Sequence, residues 1–175
     1  PRLTRHRALA RECPVARVTG AGRGSGFLLV AGLALAGALN TLAFAPVSAW
    51  WLQPASAALL FFSLRHASPR RAALAGGAFA FGWLASGWWW LHISLHDYGG
   101  LAWGLAALAV AVLALGMSLY LAAAMALAAW LRTGRAGVDA AVLAAAWLTA
   151  ELARGQFFTG FPWSCLLYTS PSPRD

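Results

Sequence analysis

Five long apolar stretches, with almost every charge confined to the segments between them, limit what this chain can become. They run over residues 27–44, 47–64, 72–91, 100–131 and 138–153. A bilayer core about 30 Å thick calls for roughly 20 apolar residues per helical span, within a range of about 17 to 25. The first three stretches meet that requirement. The fourth, at 32 residues, is too long for a plain span and is expected to begin or end as an interfacial helix. The fifth is short and reads as a helix. The chain is 61% hydrophobic and only 10% charged, against about 25% charged in soluble domains, so it could not cover a water-facing surface. The expected fold is all-α integral membrane with about five transmembrane helices.

A net charge of +8 raises nucleic acid as a partner, and the placement of the charge argues against it. All 13 basic residues are arginine. Arg2, Arg5, Arg7, Arg11, Arg17 and Arg23 precede the first apolar stretch; Arg65, Arg70 and Arg71 share one short connection; Arg132 and Arg135 share another. With the amino terminus in the cytoplasm, all eleven fall inside, leaving Arg154 and Arg174, as the positive-inside rule demands. Tryptophan offers an independent check. Trp50, Trp51, Trp88, Trp89, Trp90, Trp103 and Trp163 then map near the outer interface, where an amphipathic ring is favoured. A cleaved signal peptide ending near Ala45 is the competing reading, but the leader is long and a second apolar stretch follows almost at once. Cys13 and Cys165 have no metal or disulfide spacing.

Domain organisation follows from these shifts in composition. Residues 1–26 form a basic cytoplasmic leader and 27–163 the transmembrane helical region. Residues 164–175 turn abruptly polar, rich in Pro and Ser, and read as a non-native tail on a fragment of a longer protein.

Chemistry-bearing residues are few. Glu151 and Arg154 lie three apart at the end of the fifth stretch, on one helical face, where they can pair. Charge at a membrane helix asks for a structural or a headgroup-binding reason. Phe157, Phe158, Phe161 and Trp163 follow, and Pro162 removes a donor and biases Phe161 toward extended backbone. These aromatics suit a lipid portal or interface anchoring equally. His92 and His96 are spaced i,i+4 with Asp97 beside them; without a third ligand they read as interfacial polar residues rather than a metal site. Trp88, Trp89 and Trp90 point in different directions around a helix and read as anchors. The small residues from Gly76 to Gly82 indicate close helix packing. Asp139 opens the fifth helix, where the macrodipole favours a carboxylate. No nucleophile, base and acid can be assembled, and no cofactor is indicated.

Several of these motifs resemble the amino-terminal membrane region of bacterial apolipoprotein N-acyltransferase. They are Thr41-Leu-Ala-Phe-Ala-Pro46, Gly77-Ala-Phe-Ala-Phe-Gly82 continuing through Ser86-Gly87 to Trp90, Gly99-Gly100, and Glu151-Leu-Ala-Arg154-Gly155 followed by Thr159-Gly-Phe-Pro-Trp163. The resemblance covers about residues 27 to 163. It implies an inner-membrane enzyme that moves an acyl chain from a membrane phospholipid, typically phosphatidylethanolamine, to the α-amino group of the diacylglyceryl-cysteine of an apolipoprotein. The family works through a cysteine thioester, with a Glu base and a Lys at the oxyanion, in a nitrilase-like periplasmic domain. None of those three residues has a counterpart here, so this stretch alone is expected to be inactive. The resemblance makes Glu151, Arg154, Phe161, Pro162 and Trp163 structural or portal residues at the periplasmic face. A multispanning transporter is the rival, and it would place polar or broken-helix residues near the bilayer midplane. The spans here are centred on Ala, Leu, Gly, Val and aromatics. A non-enzymatic assembly protein has no positive feature in its favour.

Overall fold

The computed structural model describes residues 23–43 and 47–156, with side chains from Gly26 onward. All regular structure among the described residues is helical. In chain order the helices are α1 (Arg23–Asn40), α2 (Leu52–Leu64), α3 (Pro69–Gly87), α4 (Trp89–Ile93), α5 (Trp103–Trp130) and α6 (Ala136–Gln156). A 3-10 turn, Thr41–Ala43, extends α1, and a π-helical turn, Ser94–Tyr98, extends α4. Among the described residues three helices are long and apolar enough to cross a membrane: Gly26–Ala43, Trp103–Trp130 and Ala136–Gln156. With the apolar α2 beside them they make an all-α, multi-pass membrane protein.

The element boundaries depart from the apolar stretches in instructive places. Only Leu52–Leu64 of the second stretch is helical, 13 residues or about 20 Å. Ser48 holds a left-handed φ of 54° before it, and Pro54 is tolerated because it falls in the first turn, where no helical N–H partner is required. The third stretch divides at Trp88, whose φ of −100° and ψ of 17° leave the helical region. The fourth is one unbroken helix of 28 residues, about 42 Å long, rather than a span with a separate interfacial piece. Its interior has no proline and no charge, and its alanines and leucines favour helix. A tilt can fit the excess length to the bilayer. The fifth extends to 21 residues, enough to span. Gly134, at a φ of +82°, makes the turn before it.

Helix α3 is the hub, packed between α1 and α5, with α6 lying on α5. Two glycines bring α1 and α3 into backbone contact. A Cβ on Gly37 would stand 1.9 Å from the Phe79 carbonyl oxygen, and one on Gly82 would stand 1.9 Å from that of Ala34. Beside this crossing the Thr41 and Ser86 hydroxyls lie 2.6 Å apart, one of the interhelical polar links that small-residue membrane interfaces use. Ser56 on α2 donates to the buried Asn40 Oδ1 on α1 at 3.0 Å. Gly76 faces Met125 and Leu121 of α5. Trp147 of α6 meets Phe79 edge-on at 5.7 Å and 71°. Phe79, Leu60, Met125 and Trp88 are fully buried.

The turns bearing Arg65, Arg70, Arg71, Arg132 and Arg135 share one end of this bundle, and Trp88, Trp89, Trp90 and Trp103 lie at the other. The Arg132 guanidinium donates to the carbonyls of Arg65 and Ala67, clamping the end of α5 to the α2–α3 turn. Asp139, in the first turn of α6, accepts from the Thr133 N–H at 2.7 Å, the Thr133 hydroxyl at 2.9 Å and the Gly134 N–H at 3.1 Å. Its carboxylate therefore fastens the preceding turn to the helix start. Asp139→Ala is expected to loosen the 133–135 turn from the start of α6 and to lower the thermal midpoint in detergent.

Candidate functional site: a buried ion pair on the last helix

The three-residue spacing of Glu151 and Arg154 places both on the face of α6 that meets α3 and α5. The Arg154 Nη2 donates to Glu151 Oε2. Arg154 is only 6% exposed, while the Glu151 side chain is 31% exposed. Around them stand Trp83 and Leu84 of α3 and Met117, Tyr120 and Leu121 of α5, leaving a gap of about 10 Å3. Met117 and Tyr120 lie 14 and 17 residues beyond Trp103, or about 21 and 26 Å along α5. The pair is thus level with the middle of the longest helix, well inside the bundle.

That depth governs what the pair can do. A guanidinium stays charged and cannot serve as an acid or a base. In an apolar bundle it needs its carboxylate, because an unpaired charge there is costly. One donor atom, Arg154 Nη1, is buried without a partner among the described residues, and the gap beside it has room for about one water. Both partners sit on α6, so their bond neutralises the buried guanidinium and lets this face of α6 pack against α3 and α5, with Nη1 left to offer one hydrogen bond. Phe161, Pro162 and Trp163, with Phe157 and Phe158 before them, lie outside the described residues.

A second cluster, at the tryptophan end, was only partly legible in the sequence. His92 is 4% exposed. It stacks on Trp89 with ring centroids 4.7 Å apart and 9° between planes, and meets Trp103 edge-on at 5.4 Å. Its Nε2 lies 3.3 Å from the Trp103 carbonyl, and His96 Nδ1 lies 2.8 Å from that of Leu101. Carbonyls only accept, so these nitrogens carry the protons. Both imidazoles therefore tie the end of α4 to the approach to α5, and His92 is a core residue rather than an interfacial one. Of the three adjacent tryptophans, Trp88 points wholly inward, while Trp89 and Trp90 are exposed. The i,i+4 histidine spacing was the available signal; which ring would be buried depended on where α5 begins.

Residues 36–172 match the family model described as the apolipoprotein N-acyltransferase N-terminal domain. The chain belongs to that family. It is 50% identical over 140 residues to a protein of Verminephrobacter eiseniae named apolipoprotein N-acyltransferase, an alignment covering 77% of this chain and 26% of the relative. Proteins of the same name from Ralstonia nicotianae and Pseudomonas syringae pv. tomato are 46% and 41% identical, covering 74% and 80% of this chain and 26% and 28% of theirs. The chain thus spans about a quarter of the length of these curated relatives. Glu151, Arg154 and the segment to Trp163 all fall inside the part that matches the apolipoprotein N-acyltransferase family model.

Proposed function

We propose that this chain is the membrane platform of a bacterial inner-membrane apolipoprotein N-acyltransferase. In this reading a phospholipid donates an acyl chain, and the α-amino group of a diacylglyceryl-cysteine on an apolipoprotein accepts it. The observation that carries the proposal is the family match over residues 36–172, together with the shared name of the relatives. The chemistry belongs to a domain beyond this region: Cys13 lies in the cytoplasmic leader, and Cys165 has no base or lysine beside it in the sequence. What the helices contribute is positioning. The Glu151–Arg154 pair neutralises the charge on the face of α6 that packs into the bundle, just before the sequence reaches Phe161, Pro162 and Trp163. With the arginine end cytoplasmic, that corner emerges at the periplasmic face, where both lipid substrates would enter laterally.

A transporter would need room for a solute around its membrane-embedded charges. The pair closes on itself in a gap of about 10 Å3, which is too small. Trp163→Ala in the full-length protein is expected to slow acylation several-fold while leaving membrane insertion intact. Mass spectrometry of the amino terminus of a test lipoprotein, diacylated against triacylated, measures the first; carbonate extraction measures the second. Unchanged acylation would remove the portal role. Failure of the wild-type, full-length protein to triacylate any lipoprotein would remove the enzyme assignment itself.

A further inference from the structure

We infer that the arginine end of the bundle carries a binding site for one anionic phospholipid, separate from the Glu151–Arg154 slot. The end of α2 and the start of α6 stand apart there, and α5 floors the cleft between them, which encloses about 170 Å3. Arg65, His66 and Arg132 line its mouth; Phe61, Leu64, Met125 and Leu143 line its depth. Cations above and apolar side chains below is the order in which a phospholipid presents its phosphodiester and its acyl chains.

Charge complementarity selects the occupant. Five arginines surround this end, and Asp139 is the one carboxylate among its described residues. Asp139 is engaged by Thr133 and Gly134, and Arg132 by main-chain carbonyls. Among the described residues Arg65 has no carboxylate partner, and its guanidinium carbon rests 5.8 Å above the Phe62 ring. It is the cation left to receive a phosphodiester, by a charge-assisted hydrogen bond, with the His66 ring as a second contact. Basic pockets between transmembrane helices hold anionic headgroups on these terms. The cleft is too small for a whole lipid. The rest of each acyl chain would run along the neighbouring exposed apolar surface, where Phe62 is 62% and Leu127 49% exposed. A nucleic acid would offer no acyl-like counterpart for that surface.

Native mass spectrometry of the intact protein in a neutral detergent tests this, with phosphatidylglycerol, phosphatidylcholine and inorganic phosphate added separately. One phosphatidylglycerol per protein is expected to remain bound, with phosphatidylcholine and inorganic phosphate each retained much less. Arg65→Gln should weaken phosphatidylglycerol retention about fivefold, the effect of one cation near a membrane surface. Ala129→Phe, which fills the cleft from a half-buried position, should weaken it at least as much. Both variants should keep the wild-type melting temperature in lipid-free detergent. Retention of phosphatidylcholine equal to that of phosphatidylglycerol, or no loss in Arg65→Gln, overturns the headgroup site. Inorganic phosphate binding as well as the lipid would leave only an anion site, and a lipid-free dimer blocked by Ala129→Phe would mean that a second copy fills the cleft; either result overturns the inference.

Discussion

Glu151→Ala is expected to destabilise the folded protein by about 3–5 kcal/mol, the cost of stranding one member of a buried ion pair. Arg154 is only 6% exposed and has no other carboxylate within reach among the described residues. Its Nη1 already lacks a partner among the described residues, so losing the Nη2 bond leaves the charge in largely apolar surroundings. Glu151→Gln keeps a carbonyl acceptor and is expected to lose less. The decisive measurement is a double-mutant cycle in detergent. Glu151→Ala combined with Arg154→Met replaces the charges with an apolar chain that fits between Trp83, Met117 and Leu121, and should recover most of the loss. A double variant no more stable than Glu151→Ala alone would show that the two residues do not act as an electrostatic unit.

Gly82→Leu should separate α1 from α3. The atoms a Cβ at Gly82 would strike are the Ala34 carbonyl oxygen at 1.9 Å and its carbon at 2.7 Å. These are main-chain atoms, so no rotamer change can make room. Gly37 meets the Phe79 carbonyl in the same way, and the two glycines form one crossing. Even Gly82→Ala is expected to exceed the 1–3 kcal/mol usual for overpacking, because the whole helix must move and the Thr41–Ser86 contact goes with it. Gly116→Ala is the matched control: it sits in α5 with nothing within 4 Å, so alanine there should gain up to about 1 kcal/mol from helix propensity. Thermal unfolding of the three variants reads the signs directly. Equal stability of Gly82→Ala and wild type would mean that the two helices do not touch there.

Much of this architecture could be read from residues taken in order. Apolar runs punctuated by arginine turns mark the helices, because lipid tolerates neither charge nor unpaired backbone. The glycines from Gly76 to Gly82 announced close packing, and Asp139 announced a helix start. Gly37, the other half of the crossing, was not legible: it is one glycine among several in α1, and only the approach of Phe79 distinguishes it. The division of the third stretch at Trp88 and the continuity of α5 were equally hidden, since hydropathy is indifferent to both.

The linear order of residues decided which segments enter the membrane, the kinship with the acyltransferase family, and the i,i+3 pairing of Glu151 with Arg154. These depend on side-chain transfer energies and helical spacing, both local properties. The depth of that pair, the Gly37–Gly82 contact, the clamp from Arg132 to the turn 65 residues earlier and the cleft at the arginine end belong to the tertiary structure alone. Each arises where helices far apart in sequence cross, and the angle and height of a crossing are set by the shapes of two surfaces at once.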